Sequence, residues 1–301
     1  MEIVTLDTLT KHISCRIWTD IECAYHTGQG IYETTITDRI WETLFKNIET
    51  SVAAKKLDKP EKDSGADIEW WLWDNSRCLG IALRIQAKKI NKQGSAYPKL
   101  KYEVLNESQA NILIRSSKCD KVIPLYCFYN YIEDSESTPL NGWEYAFAHH
   151  VQHLELTRSK QEFVKRKTLK PYLFPMYQLF SESNVIDQII KMYKMVDVSI
   201  RTEELYKRTL PDYVMRMLKH RDYTFQKKFR IKKGQVFIPS HQYRRKSSIL
   251  QKVNLAYEFL QDPRGTFTRC KYFFSTRLKY DNVVEFPANA PEVKYLIYTE
   301  I

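Results

Sequence analysis

Three short segments carry side chains suited to hydrolytic chemistry: Glu33, Gly65-Ala66-Asp67 and Gln86-Ala87-Lys88. Gln86 and Lys88 stand two apart in an alternating apolar run, so on a strand both point to one face. Asp67 opens the preceding β-rich run and can face the same way. An acid and a second oxygen donor can hold a hard divalent cation such as Mg²⁺ or Mn²⁺. A lysine beside them can orient water or neutralise charge on a phosphate. A metal there can activate the water and stabilise the leaving oxygen of a phosphodiester. The plain alternative is a cross-strand Asp67–Lys88 pair on a solvated sheet face.

The elements that must position these residues can be read from the pattern. Ile36, Ile40, Leu44, Phe45 and Ile48 form an apolar stripe, which predicts a helix over residues 31–49 with Glu33 near its head. A shorter amphipathic helix is expected within residues 1–20. Residues 57–65 (LDKPEKDSG) have turn chemistry, and a weak strand is expected before them, around 51–57. Residues 66–73 (ADIEWWLW) and 78–90 (CLGIALRIQAKKI) read as a β-hairpin turning at Asp74-Asn75-Ser76. Residues 103–117 read as a helix. Residues 122–130 (VIPLYCFYN) read as a strand buried on both faces. A helix that returns to a buried strand implies parallel pairing.

Composition shifts near residue 140, which suggests an α/β unit over 1–140 and a basic, mostly helical extension over 141–301. Helices are expected at 143–157, 161–168, 183–196, 203–219 and 247–261. Strands are expected around 225–238, 271–286 and 293–299.

The chain has 301 residues with 47 Lys plus Arg against 36 Asp plus Glu, a net charge of +11. That balance favours a polyanionic partner. Six cysteines without a C-x-x-C pair argue against a metal finger or a disulfide scaffold. The acidic start and the lack of a run near the roughly 20 apolar residues of a spanning helix predict no signal peptide and no membrane segment. A cytoplasmic location follows as the expectation.

The order of elements and the motif Gly65-Ala66-Asp67 … Gln86-Ala87-Lys88 resemble the PD-(D/E)xK restriction-endonuclease-like superfamily. The resemblance runs from about Thr27 to Asn130. It implies a core of helix, three-stranded meander, helix and strand in a mixed sheet. It also implies a metal-dependent nuclease, with DNA as the expected substrate and a role in bacterial defence against foreign DNA. Under that resemblance Glu33 is the acid of the first helix, Asp67 the metal-binding acid, and Gln86 with Lys88 the (D/E)xK pair. Glu33, Asp67 and Gln86 would hold the metal. Gln86 stands where most members have Glu or Asp, a variant found in Mrr-like nucleases. An amide there supplies one negative charge fewer, so retained or lost activity stays open. The chain also resembles an uncharacterised bacterial family with the pattern G-A-D-x-x-W-W … Q-A-K-(K/R) … P-L-Y-x-F-Y-N.

Other residues have two readings each. Lys89 is a candidate nucleic-acid contact. Gln109 either touches the scissile strand or lies on a helix surface. Lys227, Lys228, Arg230, Arg244, Arg245 and Lys246, interleaved with Tyr223, Phe225, Phe229 and Tyr243, suit a nucleic-acid track or a solvated face. His149 and His153 share a helix face but lack the intervening Glu of H-E-x-x-H, so packed or surface histidines are expected. Trp70, Trp71 and Trp73 are either base-stacking residues or core, and core is expected for at least two.

Three functional classes remain: a metal-dependent nuclease, a nuclease-fold binding or interaction module without chemistry, and a toxin controlled by a protein partner. A homodimer would suit an enzyme that cuts both strands.

Overall fold

Trp70, Trp71 and Trp73 are all buried, and the sheet they stand in carries Gln86, Lys88 and Lys89, with Asp67 immediately before one of its strands. The computed structural model describes residues 5–46, 52–56, 64–104, 106–134, 136–215 and 295–300. The chain begins with two helices, α1 (Leu6–His26) and α2 (Glu33–Lys46). Thr5 caps α1, its hydroxyl accepting from the Thr8 N–H at 3.2 Å. Leu9, Ile13, Ile17 and Ile21 recur at helical spacing along α1 and are buried. Ile36, Ile40 and Leu44 do the same on α2. Gly142 lets a chain segment press against α1: a Cβ there would lie 2.1 Å from the Ser14 carbonyl oxygen.

Next come β1 (Val52–Lys56), β2 (Ile68–Asp74) and β3 (Leu79–Lys89). The two-residue strands β4 (Glu103–Val104) and β5 (Glu107–Ser108) pair only with each other. Helix α3 (Gln109–Asp120) leads into β6 (Ile123–Tyr129), and β7 (Trp143–Phe147) runs straight into α4 (Ala148–Thr157). After α5 (Arg166–Leu169) come β8 (Phe174–Pro175), α6 (Val185–Val196), α7 (Thr202–Leu205) and, near the end of the chain, β9 (Tyr295–Glu300).

The fold is α/β, and the described residues form a mixed seven-stranded sheet in the order β1-β9-β2-β3-β6-β7-β8. The hairpin β2–β3 is antiparallel and the β3–β6 pair is parallel, as the helical crossover through α3 requires. β1 does not pair with β2. β9 lies between them, antiparallel to β1 and parallel to β2, so the three-stranded meander that the resemblance implies is interrupted by β9.

The composition break near residue 140 does not end the sheet, because β7, β8 and β9 extend it. Residues 3–211 with 291–301 form one compact unit. Residues 143–147 are a strand and not the start of a helix. Trp143, Tyr145 and Phe147 are β-formers at alternate positions, and all five residues are buried. Helix α3 starts six residues later than expected, after the β4–β5 turn. The runs at 225–238, 247–261 and 271–286 lie outside the described residues. Among the described residues no helix is long and apolar enough to cross a membrane.

Candidate active site

Strand alternation in β3 puts Ile81, Leu83, Ile85 and Ala87 on the face whose core includes α1 and α2. Arg84, Gln86 and Lys88 take the opposite face, and all three are buried. Their neighbours in register on β6 are Pro124, Tyr126 and Phe128. Polar side chains this deep must be paired or used.

Asp67 precedes β2 and is buried. Its Oδ2 accepts from the Gln86 Nε2 at 2.5 Å and from the Ala87 backbone N–H at 2.9 Å. Gln86 Oε1 in turn accepts from Gln109 Nε2 at 2.6 Å. Gln109 Oε1 accepts from Lys88 Nζ at 2.6 Å. Asp67, Gln86, Gln109 and Lys88 thus form one continuous polar chain, with Gln109 buried at the head of α3.

Gly65 makes that arrangement possible. Its φ is +67°, and a Cβ there would lie 3.0 Å from the Leu113 backbone nitrogen and 3.2 Å from the Gln109 carbonyl oxygen. The first residue of the Gly65-Ala66-Asp67 motif therefore lets the segment carrying Asp67 pack directly on the first turn of α3. Ser108 caps the same turn by accepting from the Asn111 N–H at 3.2 Å.

Glu33 arrives from α2. Its Oε2 accepts from the Lys89 backbone N–H at 2.9 Å, at the end of β3. Burial raises its pKa above the ordinary value. The Lys88 charge opposes that rise, and the Asp67 charge adds to it. The two carboxylates and the lysine thus share one electrostatic site. The Lys89 ammonium turns to the Ile90 carbonyl at 3.0 Å, and burial lowers its pKa.

A profile described as "Family of unknown function (DUF6615)" matches residues 6–244, most of the chain. The protein belongs to the DUF6615 family. No curated protein matches it. The DUF6615 match spans Glu33, Asp67, Gln86, Lys88 and Gln109 and stops before β9.

The fold brings together five residues that the DUF6615 sequence had marked: Glu33, Asp67, Gln86, Lys88 and Gln109. Lys89 joins them through its backbone. Lys227, Lys228, Arg230, Arg244, Arg245 and Lys246 lie outside the described residues. Tyr126 was not expected at the site. Its hydroxyl is buried with no hydrogen-bond partner among the described residues, it stands beside Gln86 in register, and burial first, then the Glu155 and Asp67 charges, raise its pKa. Within an aromatic strand run it reads simply as core.

The histidines go elsewhere. His149 lies 3.6 Å from Asp197, and the His150 ring packs on Tyr172 with centroids 4.6 Å apart. The tryptophans are core: Trp70 Nε1 donates to Thr299 at 2.9 Å and Trp71 Nε1 to Glu69 at 2.8 Å.

Among the described residues no three His, Cys, Asp or Glu side chains cluster as a metal site. The donor set is two carboxylates, Asp67 and Glu33, with the Gln86 amide oxygen, which in this structure accepts from Gln109. All three are hard oxygen donors of the kind that Mg²⁺ and Mn²⁺ take. The Asp67 charge acts on the buried Glu33 carboxyl, and two such carboxylates fit a divalent cation in charge as well.

Proposed function

We propose that this protein hydrolyses phosphodiester bonds in nucleic acid, with DNA as substrate, using a divalent metal held by Asp67, Gln86 and Glu33. The observation that supports this reading most is the convergence of Asp67, Gln86 and Lys88 at one end of β3, with Glu33 electrostatically coupled to them. A bound Mg²⁺ or Mn²⁺ would supply an activated water and charge stabilisation at the leaving oxygen. Asp67 supplies the charged ligand least dependent on side-chain rearrangement, because the Ala87 N–H already orients it. Lys88 supplies a positive charge that stabilises the phosphate or orients the attacking water. Glu33 is anchored by a backbone N–H, so its carboxylate stays at the strand end. The β2, β3, α3 and β6 arrangement agrees with a restriction-endonuclease-like core, and the net charge of +11 suits a polyanionic substrate. Defence against foreign DNA is the biological setting we attach to this activity, on the sequence resemblance.

One observation favours a second reading. Gln86 and Gln109 link Asp67 and Lys88 in one hydrogen-bonded chain, with the Gln86 nitrogen and not its oxygen on Asp67. A nuclease fold that has lost chemistry and kept nucleic-acid binding would have such a self-contained site. Plasmid nicking with Mn²⁺ or Mg²⁺, beside an EDTA control, separates the two when Gln86→Glu is run alongside. Cutting by the wild-type protein supports the nuclease. Cutting only by Gln86→Glu supports the binding module.

A further inference from the structure

Tyr32 and Tyr102 are the two most exposed aromatic side chains among the described residues, at 75% and 59%. Both adjoin the site. Tyr32 immediately precedes Glu33, and its carbonyl accepts from the Ile36 N–H at 3.2 Å in the first turn of α2. The Tyr102 carbonyl accepts from the Gln109 N–H at 3.4 Å, and its own N–H donates to the Lys99 carbonyl at 3.2 Å. Helices α2 and α3 reach the end of β3 from opposite faces of the sheet. Thr37 on α2 shares a hydrogen bond with Tyr129 at 3.0 Å, and Tyr129 pairs in register with Lys89, so α2 lies on the Ala87 and Lys89 face. Gln109, at the head of α3, meets Lys88 on the other face. The two tyrosines therefore bracket the strand end that carries the candidate site.

Singly exposed aromatic residues are ordinary. Position and charge set these two apart. Lys99 and Lys101 are exposed on the short turn Pro98–Lys101, which buried Tyr97 and Leu100 pin to the core. Burial lowers the Lys89 pKa most, Glu33 raises it and Lys99 lowers it again, so the Lys99 charge reaches the end of β3. Glu103, next to Tyr102, is paired with Lys160 at 2.7 Å. Lysines beside exposed rings suit a strand whose phosphates meet the cations while its bases meet the rings. In a duplex the neighbouring bases cover both faces of each base, so a protein ring stacks only on a base outside the helix. We infer that Tyr32 and Tyr102 are base-stacking residues, and that the site takes DNA with unpaired bases around the cleavage point: single strands, flaps or underwound segments of a supercoiled plasmid. This rests on the nuclease reading above and names the form of its substrate.

The test is fluorescence anisotropy with short labelled oligodeoxynucleotides in EDTA, so that no metal-dependent cleavage competes with binding. Wild type should bind a single strand more tightly than the matching duplex. Tyr32→Ala and Tyr102→Ala should each weaken single-strand binding about 5- to 150-fold, the range for one lost stack of a base on an aromatic ring. Phe at either position should keep the affinity, because the ring remains. Neither alanine variant should change the salt dependence, since stacking releases no counterions. Lys99→Gln should flatten the slope of log affinity against log salt by about 0.7, one phosphate contact on a single strand.

A strand in which abasic sites replace the bases gives the second readout. On it the alanine substitutions should cost nothing, because no base is left to stack. Equal affinity for single strand and duplex overturns the inference, as does single-strand binding that ignores both alanine variants. An equal loss on the abasic strand also overturns it, since the tyrosines would then act on the backbone or on packing. If the stacking pattern holds and no DNA is cut with Mn²⁺ or Mg²⁺, the stacking surface stands and the nuclease reading fails. If DNA is cut and the pattern is absent, the nuclease reading stands and the stacking surface fails.

Discussion

Lys88 Nζ donates to Gln109 Oε1 at 2.6 Å, a buried hydrogen bond that ties the end of β3 to the first residue of α3. It sits one step from Gln86 and two from Asp67 along the polar chain. Removal of the ammonium should leave the metal ligands in place and remove the group that acts on phosphate. Lys88→Met is expected to lower the cleavage rate by at least about 100-fold, the scale of a lost transition-state donor. Mn²⁺ affinity should be retained or increased, because a positive charge beside the site is gone. Kinetics and calorimetry on the same preparation check the split.

Gly65 is held at φ +67° with α3 against it. Gly65→Ala meets both the left-handed backbone penalty, about 1–2 kcal/mol, and a tight approach to the Leu113 backbone. Urea unfolding should show a loss of at least about 1 kcal/mol. Activity should fall as well, since the same packing places Asp67 beside Gln109.

Glu33 has a folded-state pKa raised above its ordinary value of 4.5, by burial first. Below 4.5 the carboxyl is protonated in both the folded and unfolded states. As pH rises past that value the unfolded chain ionises first, so the folded protein loses stability until its own pKa is passed. Glu33→Gln stays neutral throughout. Thermal unfolding across about pH 4 to pH 8 should show the variant gaining on wild type as pH rises, with the two converging at the acid end.

How far the sequence reveals this architecture depends on the range of each interaction. Gln86 and Lys88 are legible because period-two alternation is local and puts both on one face. Asp67 is legible from its place on the adjoining hairpin arm. Gln109 is not distinguishable from a surface glutamine, because its burial depends on Gly65 packing against α3. β9 leaves no local trace at β1 or β2, since its pairing joins residues more than about 200 positions apart. The strand at Trp143–Phe147 hides because it enters α4 with no turn residue between.

The buried Arg84–Glu69 pair, 2.8 Å apart, offers a structural control on the same sheet face. Arg84 also reaches Asp120 at 2.7 Å. Arg84→Met removes the guanidinium from buried Glu69 and should cost about 3–5 kcal/mol in chemical unfolding. Mn²⁺ affinity of the folded fraction should stay near that of wild type. A large loss of metal binding without a loss of stability would move the metal site to this pair.

Arg244, Arg245 and Lys246 carry the prediction for substrate binding. Their replacement by Ala should weaken affinity for duplex DNA. The slope of log affinity against log salt should fall by about 0.9 for each phosphate that these side chains neutralise. An unchanged slope, measured by fluorescence anisotropy, would leave the run as a solvated face.

The central claim is a metal-dependent hydrolytic site built on Asp67. The most direct measurement is cleavage of supercoiled plasmid by wild type and Asp67→Ala over a range of Mn²⁺ and Mg²⁺ concentrations. Asp67 is the carboxylate that the Ala87 N–H and the Gln86 amide converge on. The account predicts nicking by wild type, its arrest by EDTA, and its loss in Asp67→Ala while the variant remains folded. Equal cleavage by wild type and folded Asp67→Ala would contradict it, as would cleavage that EDTA does not touch.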